Sequence, residues 1–351
     1  MISRSVSSIP VVETVSILIP CYNDEAYVGA AIESALNQTW PNCEVIVVDD
    51  GSEDDSLSAA RKYKGEGVQV IAQENQGASA ARNRGLEAST GAFIQYLDAD
   101  DLLHRRKIEA QVSALQMAPP ETVAVCSTSY FQDGTPPEDG YWAKGEEQVP
   151  WLTDDDPVRW LANLWTPDKG WGMVQPGAWL VPRAVAKDAG PWDERLSRDD
   201  DGEYFARVLL ASNGVQYVQD GCVYYRQHTG RRVSGLYSRE KFESWLLAVD
   251  LKQEHLSPEL EGDRYPGLAR GLARQYWSVA LSAYPEFPEI AVKAEHRAGD
   301  LGFPEMLRSV SENGWKGWIA KTISHTIGWR SARHLQWAYH RTREDLPTHF
   351  A

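Results

Sequence analysis

Four short apolar runs rich in β-branched residues, Val15–Pro20, Glu44–Val48, Val68–Ile71 and Ala92–Leu97, alternate with stretches of helical spacing over Tyr27–Asn37, Ser56–Lys64 and Gly77–Ala88. Strands covered on both faces read as continuous apolar runs, because neither face is left for water. Strands separated by helices are joined by crossovers, which sets neighbours parallel. The alternation therefore predicts an α/β domain with a Rossmann-like, mostly parallel sheet flanked by helices. In such sheets ligands bind beyond the carboxyl ends of the strands. Polar clusters stand at three of those ends: Cys21–Glu25, Asp49–Ser52 and Asp98–Asp101. Asn23-Asp24-Glu25 offers a cap for the first helix and Asp54 for the second.

Further along, the pattern predicts a helix over Leu102–Met117 and a strand over Val123–Phe131. Residues 133–172 lack a period and read as a long loop region with a short helix at Pro157–Leu164. A strand at Trp179–Val181, a helix at Asp199–Ala211 and a strand at Val223–Arg226 follow. Beyond Arg239 the chain turns helical, over Phe242–His255, Tyr265–Tyr284, Ile290–Gly299 and Trp315–Arg343. This places a boundary near residue 235, with an α/β domain over 12–235 and an α-helical C-terminal extension over 236–351.

Charge narrows the function. The chain has 351 residues, 35 Lys+Arg against 50 Asp+Glu, and a formal net charge of −15. Nucleic-acid binding wants a basic face, so no nucleic-acid partner is expected. An acidic protein can still hold a polyphosphate if a local cation mediates. Cys21, Cys43, Cys126 and Cys222 form no C-x-x-C pair, which argues for reduced thiols in a cytoplasmic protein. The Val15–Pro20 run is too short for a secretory core, and no long apolar stretch exists, so a soluble or at most peripheral protein is expected.

Asp98-Ala99-Asp100-Asp101 places three carboxylates in four residues at a strand end. Such acids repel one another, and a hard divalent cation, Mg²⁺ or Mn²⁺, resolves the conflict while taking phosphate oxygens as further ligands. The competing reading is a solvated turn capping the next helix. Asp49-Asp50-Gly51-Ser52 reads as a tight turn or as a carboxylate accepting hydrogens from a base or ribose. Within Gly77–Gly85, Arg82 and Arg84 read as base or phosphate contacts or as surface ion pairs. Asp199–Glu203 opens a helix with four acids, more than the helix dipole needs, and one of them can serve as a general base. His228 follows the Val223–Arg226 strand and reads as a third metal ligand, a phosphate contact or neither.

Taken in order, V-S-I-L-I-P-C-Y-N-D-E at 15–25, S-A-L-N-Q-T-W at 34–40, E-V-I-V-V-D-D-G-S at 44–52, G-A-S-A-A-R-N-R-G-L at 77–86 and F-I-Q-Y-L-D-A-D-D at 93–101 resemble the family 2 glycosyltransferases. These are inverting enzymes with the GT-A fold. A looser second half, with P-G-A-W-L-V-P-R at 176–183, G-P-W-D-E-R-L at 190–196 and D-D-D-G-E-Y-F-A-R at 199–207, extends the resemblance to about residue 230. It implies a nucleotide-binding half over 12–105 and an acceptor half over 106–235. It also implies that Pro20, Tyr22 and Glu25 contact the nucleoside, that Asp50 binds the base with Arg82 beside it, and that Asp98 and Asp100 form the D-x-D pair. Asp100 would be the direct metal ligand and Asp98 would lie nearer the ribose or donor sugar. The family shows Glu-Asp some six residues before an arginine; Asp200-Asp201 with Arg207 matches that spacing with Asp for Glu, and Asp201 becomes the catalytic base. The implied reaction is a single displacement from a nucleotide-sugar donor, UDP-sugar by default, onto a hydroxyl of a glycan, a lipid-linked sugar or another acceptor.

Two rivals share parts of this pattern. A nucleotidyltransferase would release pyrophosphate, and it usually carries a Gly-rich basic loop that is absent near the first strand. A non-catalytic sugar-nucleotide binder would be expected to lack the metal and base acids. Trp142, Trp151, Trp160, Trp165 and Trp171 read mostly as packing, with some able to line an acceptor groove. Residues 314–343 mix Trp with Lys and Arg, the one basic stretch of the chain. They read as a packed helix, a homo-oligomer interface or a peripheral membrane contact.

Overall fold

In the computed structural model of the chain, the residues described are 13–142, 153–165, 174–228, 238–262, 264–305 and 330. They form two compact units, Met1–Pro157 with Val174–Glu194 and Arg207–Gly230, and Val158–Met173 with Arg195–Ala206 and Arg231–Ala351. The second unit thus draws two earlier stretches of chain to the C-terminal helices. Trp151, Trp171 and nearly all of 314–343 lie outside the described residues.

The first unit is built on a nine-stranded sheet. Its strands are β1 (Val15–Cys21), β2 (Cys43–Asp50), β3 (Val68–Gln73), β4 (Phe93–Tyr96), β5 (Leu102–Leu103), β6 (Thr122–Gln132), β7 (Tyr141–Trp142), β8 (Trp179–Pro182) and β9 (Gly214–Gln227). Their spatial order is β3-β2-β1-β4-β8-β6-β9-β5, with β7 on β6. The first four strands pair in parallel, as the crossovers require. The remainder is mixed: β8 runs antiparallel to β4 and β6, β5 antiparallel to β9, and β6 parallel to β9. Val15, Ile17, Leu18, Ile19, Val45, Ile46, Val47 and Val48 are all buried, which is why these runs carry no polar alternation. Each such side chain contributes roughly 1.5–3 kcal/mol by leaving water.

Helices α1 (Val28–Leu36), α2 (Ser56–Arg61), α3 (Ala78–Ala88) and α4 (Lys107–Leu115) follow β1, β2, β3 and β5. Several readings change here. Leu102 and Leu103 form a strand rather than the start of a helix, because they pair with Tyr224 and Val223. The strand expected at Val223–Arg226 begins at Gly214, although Gln219-Asp220-Gly221 reads locally as a turn. The Asn23–Glu25 stretch does not cap α1, whose N-cap is Tyr27 with no side-chain bond. Asp54 does hold the start of α2, accepting from the Ser56 N–H at 2.9 Å.

One buried group in this unit has no use in any site reading. Lys107 is fully buried; its ammonium donates to Gln95 Oε1 and to Gln111 Oε1 (2.6 Å). Burial pushes its pKa from the usual 10.5 down to about 8, with the Cys126 and Cys222 thiols working the other way. The folded state thus releases this proton before the unfolded chain does, so stability rises with pH between those values. The rise amounts to about 3 kcal/mol for a shift of this size. In urea titrations at pH 8 and pH 10, the native chain is expected to gain stability relative to Lys107→Met; parallel profiles would contradict the buried charge.

The chain continues through α5 (Pro157–Trp165), α6 (Arg183–Ala189) and α7 (Asp200–Leu210) to α8 (Arg239–His255), α9 (Ser257–Leu260), α10 (Pro266–Ala283) and α11 (Pro288–Asp300). In the second unit Phe242, Val249, Leu272, Tyr276, Ile290 and Ala294 form one apolar core. The Tyr276 hydroxyl, carried into that core, donates to Asp250 at 2.7 Å. Among the described residues no helix is long and apolar enough to cross a membrane.

Candidate active site

The parallel order brings the ends of β1, β2 and β4 to one edge of the sheet. Pro20 lies opposite Val48 and Cys21 opposite Asp49, so the segments that follow both strands leave side by side. They then lace together. The Asn23 N–H donates to Ser52 Oγ (3.1 Å), the Asp24 N–H to Ser56 Oγ (2.7 Å) and the Glu25 N–H to Asp54 (3.1 Å). In return Asn23 Oδ1 accepts from the Glu53 N–H (2.8 Å) and Glu25 from the Asp55 N–H (2.9 Å). Asn23 adopts φ 56° to do this, a region asparagine tolerates better than most residues. Gly51 sits at φ 73°, and a Cβ there would meet the Asn75 nitrogen at 2.8 Å. Tyr22 stands at this edge, 42% exposed.

Asp50 is buried, and its carboxylate organises the loop after β3. It accepts from Gln73 Nε2 (2.8 Å), the Gln76 N–H (2.9 Å) and the Gly77 N–H (2.8 Å). The last bond fixes the start of α3, which carries Arg82. The Arg82 guanidinium donates to Asp98 at 2.9 Å and lies 4.4 Å from the centre of the Trp192 ring. Its neighbour Asn83 donates to the Trp192 carbonyl (2.9 Å) and accepts from the Trp192 N–H (2.8 Å). One turn of α3 therefore fixes both the first D-x-D acid and the segment that flanks it.

Asp100 faces His228, whose Nε2 lies 2.7 Å from Oδ2. The strand pairing beside it explains this meeting: the Arg226 N–H donates to buried Asp101 (2.9 Å), and Arg226 Nε donates to the Asp100 carbonyl (2.9 Å). The Arg226 head is held by Asp133 at 3.0 Å and packs over Tyr27 and Phe131. Burial, with Asp100 and Asp98 adding to it, pushes the Asp101 carboxyl well above the usual carboxylate range. The same acids act on Asp24, a residue that motif reading passed over. Burial first, then the charge of Asp100, raise Asp24 to about 7. The signal for it was topological: Asp24 follows β1, and Asp98 follows β4, the strand paired beside it.

The donor chemistry of this edge suits a hard cation, since carboxylates crowd where their charges oppose one another. Among the described residues no group of three or more His, Cys, Asp or Glu side chains is preformed for a metal ion.

In the second unit, the acids at the start of α7 sort themselves. Asp199, at φ 60°, pairs with buried Lys252 at 2.5 Å. Buried Glu203 takes the His255 Nε2 at 2.9 Å. Asp201 Oδ1 accepts from the Gly202 N–H at 2.8 Å. Two of the four acids, Asp199 and Glu203, are thus tied to α8. In the first unit Arg207 donates to the Ala189 carbonyl.

Residues 16–164 match the sequence profile of the family described as Glycosyl transferase family 2. An uncharacterized glycosyltransferase of Rickettsia typhi is 40% identical over 245 residues, 68% of this chain and 73% of the relative. The chain belongs to glycosyltransferase family 2. The same glycosyltransferase chain is 30% identical to EpsH of Bacillus subtilis over 260 residues, covering 72% of it and 71% of EpsH. Its fold is that of the crystal structure of S. aureus TarS 1-349 in complex with UDP-GlcNAc, with a TM-score of 0.65 at 18% identity over 94% of this chain and 92% of that one. Mannosyltransferase PcManGT from Pyrobaculum calidifontis, in complex with GDP-Man and Mn²⁺, gives a TM-score of 0.51 at 15% identity, over 92% of this chain and 83% of that one. The sheet with flanking helices is a GT-A fold.

Proposed function

We propose that this enzyme is an inverting, divalent-cation-dependent glycosyltransferase that moves a sugar from a nucleoside diphosphate sugar to an acceptor hydroxyl. The observation that carries the reading is the convergence of Asp98, Asp100 and Asp24 at one edge of the sheet, with Arg82 and His228 holding the first two. The UDP-GlcNAc bound to TarS makes a UDP-sugar the first donor to try, and PcManGT, bound to GDP-Man and Mn²⁺, makes a GDP-sugar the second.

Asp98 and Asp100 would hold the cation, Mn²⁺ or Mg²⁺. Bound there, it would neutralise the charge that builds on the departing diphosphate. Arg82 keeps Asp98 in place, and His228 does the same for Asp100. Tyr22 and Pro20 border the nucleoside, and Asp50 shapes the loop that faces the base. Asp201 accepts the proton of the acceptor hydroxyl as its oxygen attacks the anomeric carbon. The new C–O bond forms on the face opposite the leaving diphosphate, so the anomeric configuration inverts.

Chelation tests the cation. Dialysis against EDTA is expected to abolish sugar transfer, and added Mn²⁺ or Mg²⁺ to restore it. Undiminished transfer in the chelated enzyme would remove the D-x-D pair from this role.

A further inference from the structure

The first unit contains a cavity that the donor reading does not use. It has a volume of about 410 Å³, within the range of small-molecule sites. Its walls include His104, Glu138, Trp142, Gln219, Asp220 and Tyr224. It lies at the other end of the β5–β9 pairing from the Asp101–Arg226 bond, where the His104 N–H donates to the Cys222 carbonyl at 3.0 Å. Arg226 lies four residue steps from Cys222 along β9, about 13 Å along the sheet.

The chain builds a rim for this cavity. Gly140 packs so tightly under β6 that a Cβ would meet Ser129 Oγ at 2.5 Å and the Tyr130 carbonyl at 3.0 Å. This close approach lets Tyr141 and Trp142 form β7, with Trp142 opposite Ser129. Trp142 lines the cavity and is left 44% exposed. Glu138 and Asp220 add acceptors, Gln219 adds both a donor and acceptors, and His104 closes the wall.

We propose that this cavity is a carbohydrate subsite, with a sugar ring stacked on Trp142 and its hydroxyls taken by Glu138, Asp220, Gln219 and His104. A sugar fits because it is uncharged, has one apolar C–H face for the indole, and offers many hydroxyls to carboxylate and amide acceptors. A nucleotide or another anion would face two carboxylates against one guanidinium, that of Arg106, which is itself paired with Glu109 at 3.2 Å. The inference extends the glycosyltransferase reading by giving a glycan a second foothold, and its test needs no turnover.

The test is an array of immobilised oligosaccharides probed with the native chain, Trp142→Ala and Asp220→Asn, followed by titration of any glycan retained. UDP binding in the presence of Mn²⁺ is measured in parallel, and thermal unfolding checks that each variant folds. The native chain is expected to retain a glycan, with Trp142→Ala weakening it by about tenfold or more, the loss of one aromatic anchor. Asp220→Asn is expected to weaken it too, with UDP binding unchanged in both. A blank array, or equal retention by the native chain and both folded variants, would overturn the subsite. Loss of UDP binding in the native chain would instead strike the donor reading and leave this one standing.

Discussion

Asp100→Asn is expected to lower kcat/KM for sugar transfer by about a thousandfold, the cost of losing one preorganised electrostatic partner at a departing group. The two D-x-D acids are not equivalent in this structure. Asp98 is tied to a guanidinium that is itself packed on Trp192, so its charge is already balanced. Asp100 faces the His228 imidazole rather than a guanidinium, with Nε2 2.7 Å from its carboxylate. Its carboxylate is therefore the one with charge to give to a cation. The amide of Asn keeps the shape and one oxygen but loses the charge. Besides the rate, the Mn²⁺ concentration for half-maximal UDP binding should rise steeply. Thermal stability should hold or increase, because Asp24 and Asp101 lose a repelling neighbour. Activity within twofold of native would end the assignment of Asp100.

Asp201→Asn should separate binding from turnover. General-base loss costs about a hundred- to ten-thousandfold in rate, and we expect kcat to fall within that range while UDP affinity stays native. The neighbouring acids supply the control. Asp199→Ala would leave Lys252, buried in the second unit, without its carboxylate, which costs about 3–5 kcal/mol of stability. Glu203→Gln would weaken the tie to His255. These two variants are expected to unfold earlier but, where folded, to turn over. Native kcat in Asp201→Asn would move the base elsewhere, with Asp200→Asn the next variant to assay.

The parallel half of the fold was legible because β1, β2 and β4 are buried on both faces, and burial leaves a plain apolar run. The mixed half was harder to read. Gly214–Gln227 contains Gln219-Asp220-Gly221, which locally favours a turn and falls where the pairing with β6 shifts register, between Tyr217 and Cys222. Leu102-Leu103 is too short to announce itself as a strand. The site was legible where one motif carried it, as at Asp98 and Asp100. It was illegible where two segments meet. Nothing in the sequence ties Asn83 to Trp192 or Arg226 to Asp101, since each pair joins separate stretches of chain. The surplus of acids at 199–203 was unreadable for the same reason: Lys252 and His255 lie some fifty positions away.

The interlaced loops after β1 and β2 have a thermodynamic consequence. Five hydrogen bonds hold 23–25 against 52–56. Whatever settles at that mouth meets walls whose disorder was surrendered during folding, so little entropy remains to be lost on association. Discrimination at this end then falls to rigid shape, and adaptability must be sought in other parts of the chain.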